Sequence, residues 1–201
     1  MRILFALALF CSLKPIMGQN QKPISLGIGF AIAANPYQFE DFTIPENLYQ
    51  NQGLSEKWKD EKVEPFFFKP DYGLYHFICL EQSPTYFKIL VNDSAIGYLP
   101  RDSSFYFKTW EEILVESSVQ RLTKDNPILV ELEIQSQELI KPCDIELLKV
   151  LSLVERNGEH WLQIEFSPDC EPYPEEWKLS KRGWIKWRDA NNLLVTIRLL
   201  Y

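Results

Sequence analysis

The chain has 201 residues, 46% hydrophobic and 24% charged, with 28 acidic against 21 basic side chains and a formal net charge of −7. Those fractions belong to a folded globular chain and exclude a disordered one. The acidic balance, with no Lys/Arg block, argues against nucleic acid, whose phosphates need cations, and against a polybasic membrane-surface binder. Aromatic content is high at 14%, and only two histidines are present, His76 and His160. Little is left for His-based metal sites, and the 8 glycines form no phosphate loop.

Residues 1–18, MRILFALALFCSLKPIMG, carry a positive Arg2, an apolar run from Ile3 to Leu13, a break at Lys14-Pro15 and the small Gly18. This is the pattern of a secretory signal peptide, and the run is shorter than the roughly 20 apolar residues of a membrane span. The expected product is exported to the periplasm or outside the cell, without membrane insertion. Cys11 leaves with the signal. An oxidising compartment then permits one disulfide among Cys79, Cys143 and Cys170. Cys143 and Cys170 occupy loop-like, Pro-flanked settings and are the candidate pair. Cys79, in YHFICLE, reads as a small buried hydrophobe.

In chain order, residues 19–41 form an N-terminal lead-in, with ISLGIGFAIAANP as a strand or extended piece. FTIPENLY is a short strand-like stretch, and the prolines of EPFFFKPD limit regular structure there. LYHFICLE and TYFKILV alternate as strands, NDSA is a turn, and IGYLP and SFYFKT are two further strands. TWEEILVESSVQRL predicts a helix over 110–122, with Thr109 and Glu112 as a capping box. ILVELEI alternates like a strand. LLKVLSLVE and HWLQIEF form a hairpin through Asn157-Gly158. A long loop carrying Cys170 then leads to RGWIKWRD and the final strand LLVTIRLLY.

The two halves repeat a pattern. YFKILV precedes GYLPR in the first, and WLQIEF precedes GWIKW in the second. Each has an aromatic opening a strand, then Gly, an aromatic and an aliphatic residue. A glycine there lets one strand pass close to another, as a small bent barrel requires. Trp161-Leu162-Gln163-Ile164 with Gly183-Trp184-Ile185, and more loosely Tyr86-Phe87-Lys88-Ile89 with Gly97-Tyr98-Leu99, resemble bacterial SH3-like domains. The resemblance covers roughly 42–107 and 128–201. It implies a mainly β protein of two small SH3-like barrels joined by a linker helix within 108–127. Proteins of this kind are commonly exported and implicated in cell-wall or protein binding. The ALYDY-like strand of peptide-binding eukaryotic SH3 domains is absent, so that activity is not carried over.

Nucleophilic catalysis needs Ser or Cys beside His with an acid behind it, and neither histidine has such a neighbourhood in sequence. Adjacent carboxylates such as Glu111-Glu112 and Glu175-Glu176 point in different directions and read as solvated faces. No metal set, cofactor or catalytic residue is expected. Binding remains, through aromatic side chains. Trp184, Trp187, Trp177, Trp161 and Tyr98 are the ligand-binding candidates. By alternation, Trp184 and Lys186 share one face while Ile185 and Trp187 share the other. The expectation is a non-catalytic binding module of the bacterial envelope, recognising cell-wall glycan, peptide or a protein partner. The competing expectation is a secreted interaction or inhibitor protein that neutralises a partner enzyme. The larger rings of the second half place the ligand there.

Overall fold

A computed structural model describes residues 26–39, 44–59, 62–92, 94–115, 117–132, 136–139, 147–167, 180–189 and 192–199. The expected signal peptide, Cys143, Cys170 and Trp177 lie outside the described residues. Among the described residues, eleven strands and one α-helix run in the order β1 (Gly29–Ala33), β2 (Phe67–Lys69), β3 (Leu74–Gln82), β4 (Tyr86–Leu90), β5 (Ile96–Pro100), β6 (Phe105–Thr109), α1 (Trp110–Leu114), β7 (Ser118–Arg121), β8 (Leu148–Arg156), β9 (Glu159–Phe166), β10 (Lys181–Arg188) and β11 (Val195–Arg198). The protein is therefore mainly β. Every pairing is antiparallel.

The first sheet has the order β5-β4-β3-β1-β6, with β2 alongside β3, and the second the order β10-β9-β8-β7-β11. Numbered within each half, setting β2 aside, the two orders are the same. Both sheets are open paths with two edges, so the expectation of closed barrels does not hold for the hydrogen-bonded sheets themselves. The first strand of each matched hairpin, β3 of β3–β4 and β8 of β8–β9, is bulged at the same place. The β3–β4 register shifts between Cys79 and Glu81, and the β8–β9 register shifts between Val150 and Ser152. Each bulge bends its strand and increases the local twist.

The glycine in each half does what a close crossing demands. Tyr49 and Tyr98 exchange both backbone hydrogen bonds at 2.9 Å, and Leu129 and Trp184 do the same at 2.8 Å. A Cβ on Gly97 would stand 2.6 Å from Val91 Cγ2, and one on Gly183 would stand 2.7 Å from Ile128 Cγ2 and 2.9 Å from the Leu129 carbonyl oxygen. In both halves a loop segment thus lies directly across the strand at a position only glycine fits.

Three local expectations change. The helix ends at Leu114, and Ser118–Arg121 is strand β7. The capping box forms, with Thr109 Oγ1 accepting from the Glu112 amide at 3.2 Å and Glu112 Oε2 accepting from the Thr109 amide at 2.7 Å. It starts a helix whose continuation loses to sheet pairing, because β7 buries Ser118 and Val119 between β8 and β11. Second, ISLGIGFAIAANP, expected as a strand or extended piece, does supply a strand, β1, but it lies inside the first sheet, buried along its whole length between β3 and β6, rather than leading into it. Third, the described part of ILVELEI, residues 128–132, makes isolated bridges from Leu129 rather than a strand. The Asn157-Gly158 turn takes the expected form, with φ of 56° and 74° at its two residues.

Two clusters of buried side chains form the core. One lies within the first half and includes Tyr75, Phe77, Cys79, Phe87, Ile89, Leu99 and Phe105. The other joins the halves. Phe30, Ile32 and Ile78 from the far face of β1 and β3 pack with Trp110, Leu114, Val119, Leu148, Ile164, Trp187 and Val195. Strand alternation explains this division, since successive residues of β1 and β3 point to opposite faces and both faces are covered.

Candidate functional site

A groove of about 580 Å³ opens on the second half. Pro127, Leu129, Leu132, Leu194 and Trp161 give its apolar lining, and Thr123, Asp125, Asn126, Glu159 and Lys186 its polar lining. Its volume falls within the roughly 300–1,000 Å³ of ligand clefts.

Two strands and two loops position these groups. Trp161 on β9 stands directly opposite Lys186 on β10. The Lys186 ammonium lies 5.1 Å from the Trp161 ring centre and pairs with Glu159. A cation over an indole face with a carboxylate partner is a stable arrangement that fixes all three side chains. Asn126 is buried, and its Nδ2 donates to the Lys186 carbonyl at 2.7 Å and the Leu194 carbonyl at 3.5 Å. Arg121 Nη1 donates to the Asn126 carbonyl at 3.1 Å. The loop entering the groove is thereby tied to both sheet edges, and Pro127 follows in a fixed place. On the other wall, Arg156 Nη1 donates to the Leu132 carbonyl at 2.6 Å, and the Glu131 amide donates to Ser136 Oγ at 2.8 Å.

The expected binding residues separate. Trp161 lines the groove. Trp184 is half-buried on the same outward face of β10 as Lys186, next to Gln163, and is outside the groove lining. Trp187 is 2% exposed and packs inward, its ring 5.0 Å from that of Trp110. The alternation read across Trp184–Trp187 therefore holds. Tyr98 belongs to the first half, where it meets Tyr86 edge-on at 5.4 Å. The groove's aliphatic lining and Asn126 were missed. In the sequence Asn126-Pro127 signals only a break in regular structure, whereas in the structure Asn126 anchors a loop.

The two halves differ at this place. Tyr86 occupies in the first half the position of Trp161 in the second, by the matched pairings of Ile89 with Gly97 and Ile164 with Gly183. Gln52 Nε2 donates to the Tyr86 hydroxyl at 2.7 Å, and that hydroxyl donates to Glu81 Oε1 at 3.0 Å. Counting from the matched Tyr49 and Leu129, Gln52 corresponds to Leu132. A polar bridge in one half thus becomes two apolar walls in the other.

The titratable groups have distinct settings. His76 is 5% exposed in β3, faces Phe30 and Phe67, and its Nδ1 lacks a hydrogen-bond partner. Burial, reinforced by Lys108, lowers its pKa to about 4. His160 sits on β9, with burial and then Arg188 lowering its pKa against the opposing pull of Glu155 at 3.8 Å. Burial raises the Cys79 thiol to about 11, so it stays protonated at neutral pH. Among the described residues, no group of three His, Cys, Asp or Glu side chains is placed to hold a metal ion, and no helix is long and apolar enough to cross a membrane. No protein-family model, curated protein or solved structure matches the chain.

Proposed function

We propose that this protein is an exported, non-catalytic binding module of the bacterial envelope, built from two SH3-like units, with its ligand held on the second unit. The groove beside Trp161 carries this reading. It is a concave, largely apolar site with a few fixed polar groups, the general form of a recognition site. The fold part draws support from the shared strand order, the shared bulge and the shared glycine crossing. Export rests on the pattern of residues 1–18.

The test is a pull-down of the mature protein on isolated cell-wall material, beside capture from a secreted-protein fraction. Retention on the wall material, lost when Leu132 is changed to Glu, supports the envelope reading. A protein that stays in the supernatant and captures one secreted enzyme replaces it with the inhibitor reading, which the net charge of −7 favours for a basic target. Mass spectrometry of the protein from its host finds a start near Gln19 if it is exported. An intact Met1 overturns export.

A further inference from the structure

Resting on that reading of the groove, we infer that its occupant is a protein or peptide segment that inserts an aliphatic side chain next to a basic one, rather than a glycan. Sugar rings stack on an exposed aromatic face. Trp161 is only 8% exposed, and the Lys186 ammonium already stands over its ring. What remains open to a ligand is mainly aliphatic, Pro127, Leu129, Leu132 and Leu194, with Thr123 and Asp125 as exposed polar groups beside it. Such walls gain by excluding water from another aliphatic group and offer a sugar hydroxyl few partners.

The charge of the lining favours a cation. Glu159 is neutralised by Lys186, which leaves Asp125, an exposed residue, as the excess charge among the lining groups. The whole chain adds a net charge of −7. A basic residue flanking the aliphatic anchor would approach Asp125 at the mouth of the groove, speeding association in low salt.

The first half serves as an internal comparison. There Gln52, Tyr86 and Glu81 form a chain of hydrogen bonds across the corresponding place. In the second half Leu132 and Trp161 have no such bridge to make, and the space between them belongs to the groove.

The experiment is selection of a displayed random peptide library on the full chain, with the Leu132→Glu protein as counter-selection. Circular dichroism checks that the variant is folded, and the exposed Asp125→Lys protein is the second variant. The expected peptides carry Leu, Ile or Val next to Lys or Arg. Their affinity falls at least tenfold on Leu132→Glu. On Asp125→Lys it falls several-fold and loses much of its salt dependence. Acidic or purely polar peptides, no enrichment above the counter-selection, or equal binding to both variants overturns the inference. A parallel titration with chitooligosaccharide, followed by the backbone amide resonances of Leu129 and Leu132, separates the two levels. Shifts there with the sugar and none with the selected peptides keep the groove as a binding site and discard the peptide occupant. Shifts with neither discard both.

Discussion

Gly183 and Gly97 show how a single missing side chain decides the path of the backbone. Each sits where a loop crosses its strand by two reciprocal hydrogen bonds. An added methyl group on Gly183 meets Ile128, the Leu129 carbonyl and Leu139 at 3.0 Å or less, two side chains and a piece of backbone that cannot yield together. Gly183→Ala is therefore expected to destabilise the protein by about 1–3 kcal/mol through overpacking, and to displace the loop that lines the groove. Chemical denaturation measures the first effect, and the Leu129 amide shift measures the second. A substitution with neither effect would mean that the crossing is loose. His76 gives a different residue-scale expectation. Its folded pKa of about 4 lies below the ordinary 6.5 because burial disfavours the charged ring. Between those values the unfolded chain binds the proton and the folded one does not, so stability falls as pH drops from about 6.5 toward 4. The loss at the lower end is on the order of 3 kcal/mol. Replacing His76 by Leu removes both that proton and an unpartnered buried nitrogen. The variant should lose less stability than the wild type between pH 6.5 and 4, and should melt higher than it at pH 5. Parallel pH profiles for the two proteins would sink this account.

At the scale of elements, α1 rests on its cap. A helix of five residues has little cooperativity of its own, so the reciprocal bonds between Thr109 and Glu112 matter more than propensity. Thr109→Ala should cost about 1 kcal/mol, read from urea midpoints at pH 7. Hydrogen bonds from Thr109, the backbone one first, hold the Glu112 carboxyl below its usual range. Of the bonds this variant removes, the one from the Thr109 hydroxyl to the Glu112 carboxylate fades as acid protonates Glu112, whereas the one from the Glu112 amide to Thr109 Oγ1 does not, so the gap between wild type and variant should narrow at low pH without closing. The same helix shows where sequence reading ends. Its start was legible because a capping box is local chemistry within four residues. Its end was not, because Ser118–Arg121 becomes a strand only through β8 and β11, whose residues lie far along the chain. β3, β4, β5, β8 and β9 were legible for the opposite reason, since alternation and turn residues sit inside each segment. β1 was only half legible. Its run of five buried residues shows no alternation in polarity, because both faces are covered. Of the groove, Trp161 could be read as one of several aromatics. Leu129 and Leu132 could not, since ILVELEI has the period of a strand and the loop path that exposes them depends on Gly183.

For the whole molecule, the joint between the halves is the decisive feature. Trp110 stands at its centre. Its ring lies 4.4 Å from Phe30 of the first sheet and 5.0 Å from Trp187 of the second, and its Nε1 donates to the Leu26 carbonyl at 2.7 Å. Phe30, Ile32 and Ile78 lose their apolar cover if the second sheet leaves, and Trp187 loses part of its cover if the first does. Each half is below the size at which a single core is comfortably stable, and here each lends side chains to the other. The two halves should therefore unfold in one transition, with equal calorimetric and van't Hoff enthalpies. Trp110→Ala should lower stability by about 3–5 kcal/mol, from the cavity and the abandoned Leu26 carbonyl. Because the residue belongs to neither sheet, that loss should move the entire transition rather than split it. Trp110→Phe keeps part of the ring contact, drops the hydrogen bond and leaves a smaller cavity than Ala, so its cost should be smaller, about 1–3 kcal/mol. Two resolved transitions in the wild type, or a Trp110→Ala protein in which one half melts at its original temperature, would show that the halves fold independently and that the shared cluster is contact without coupling.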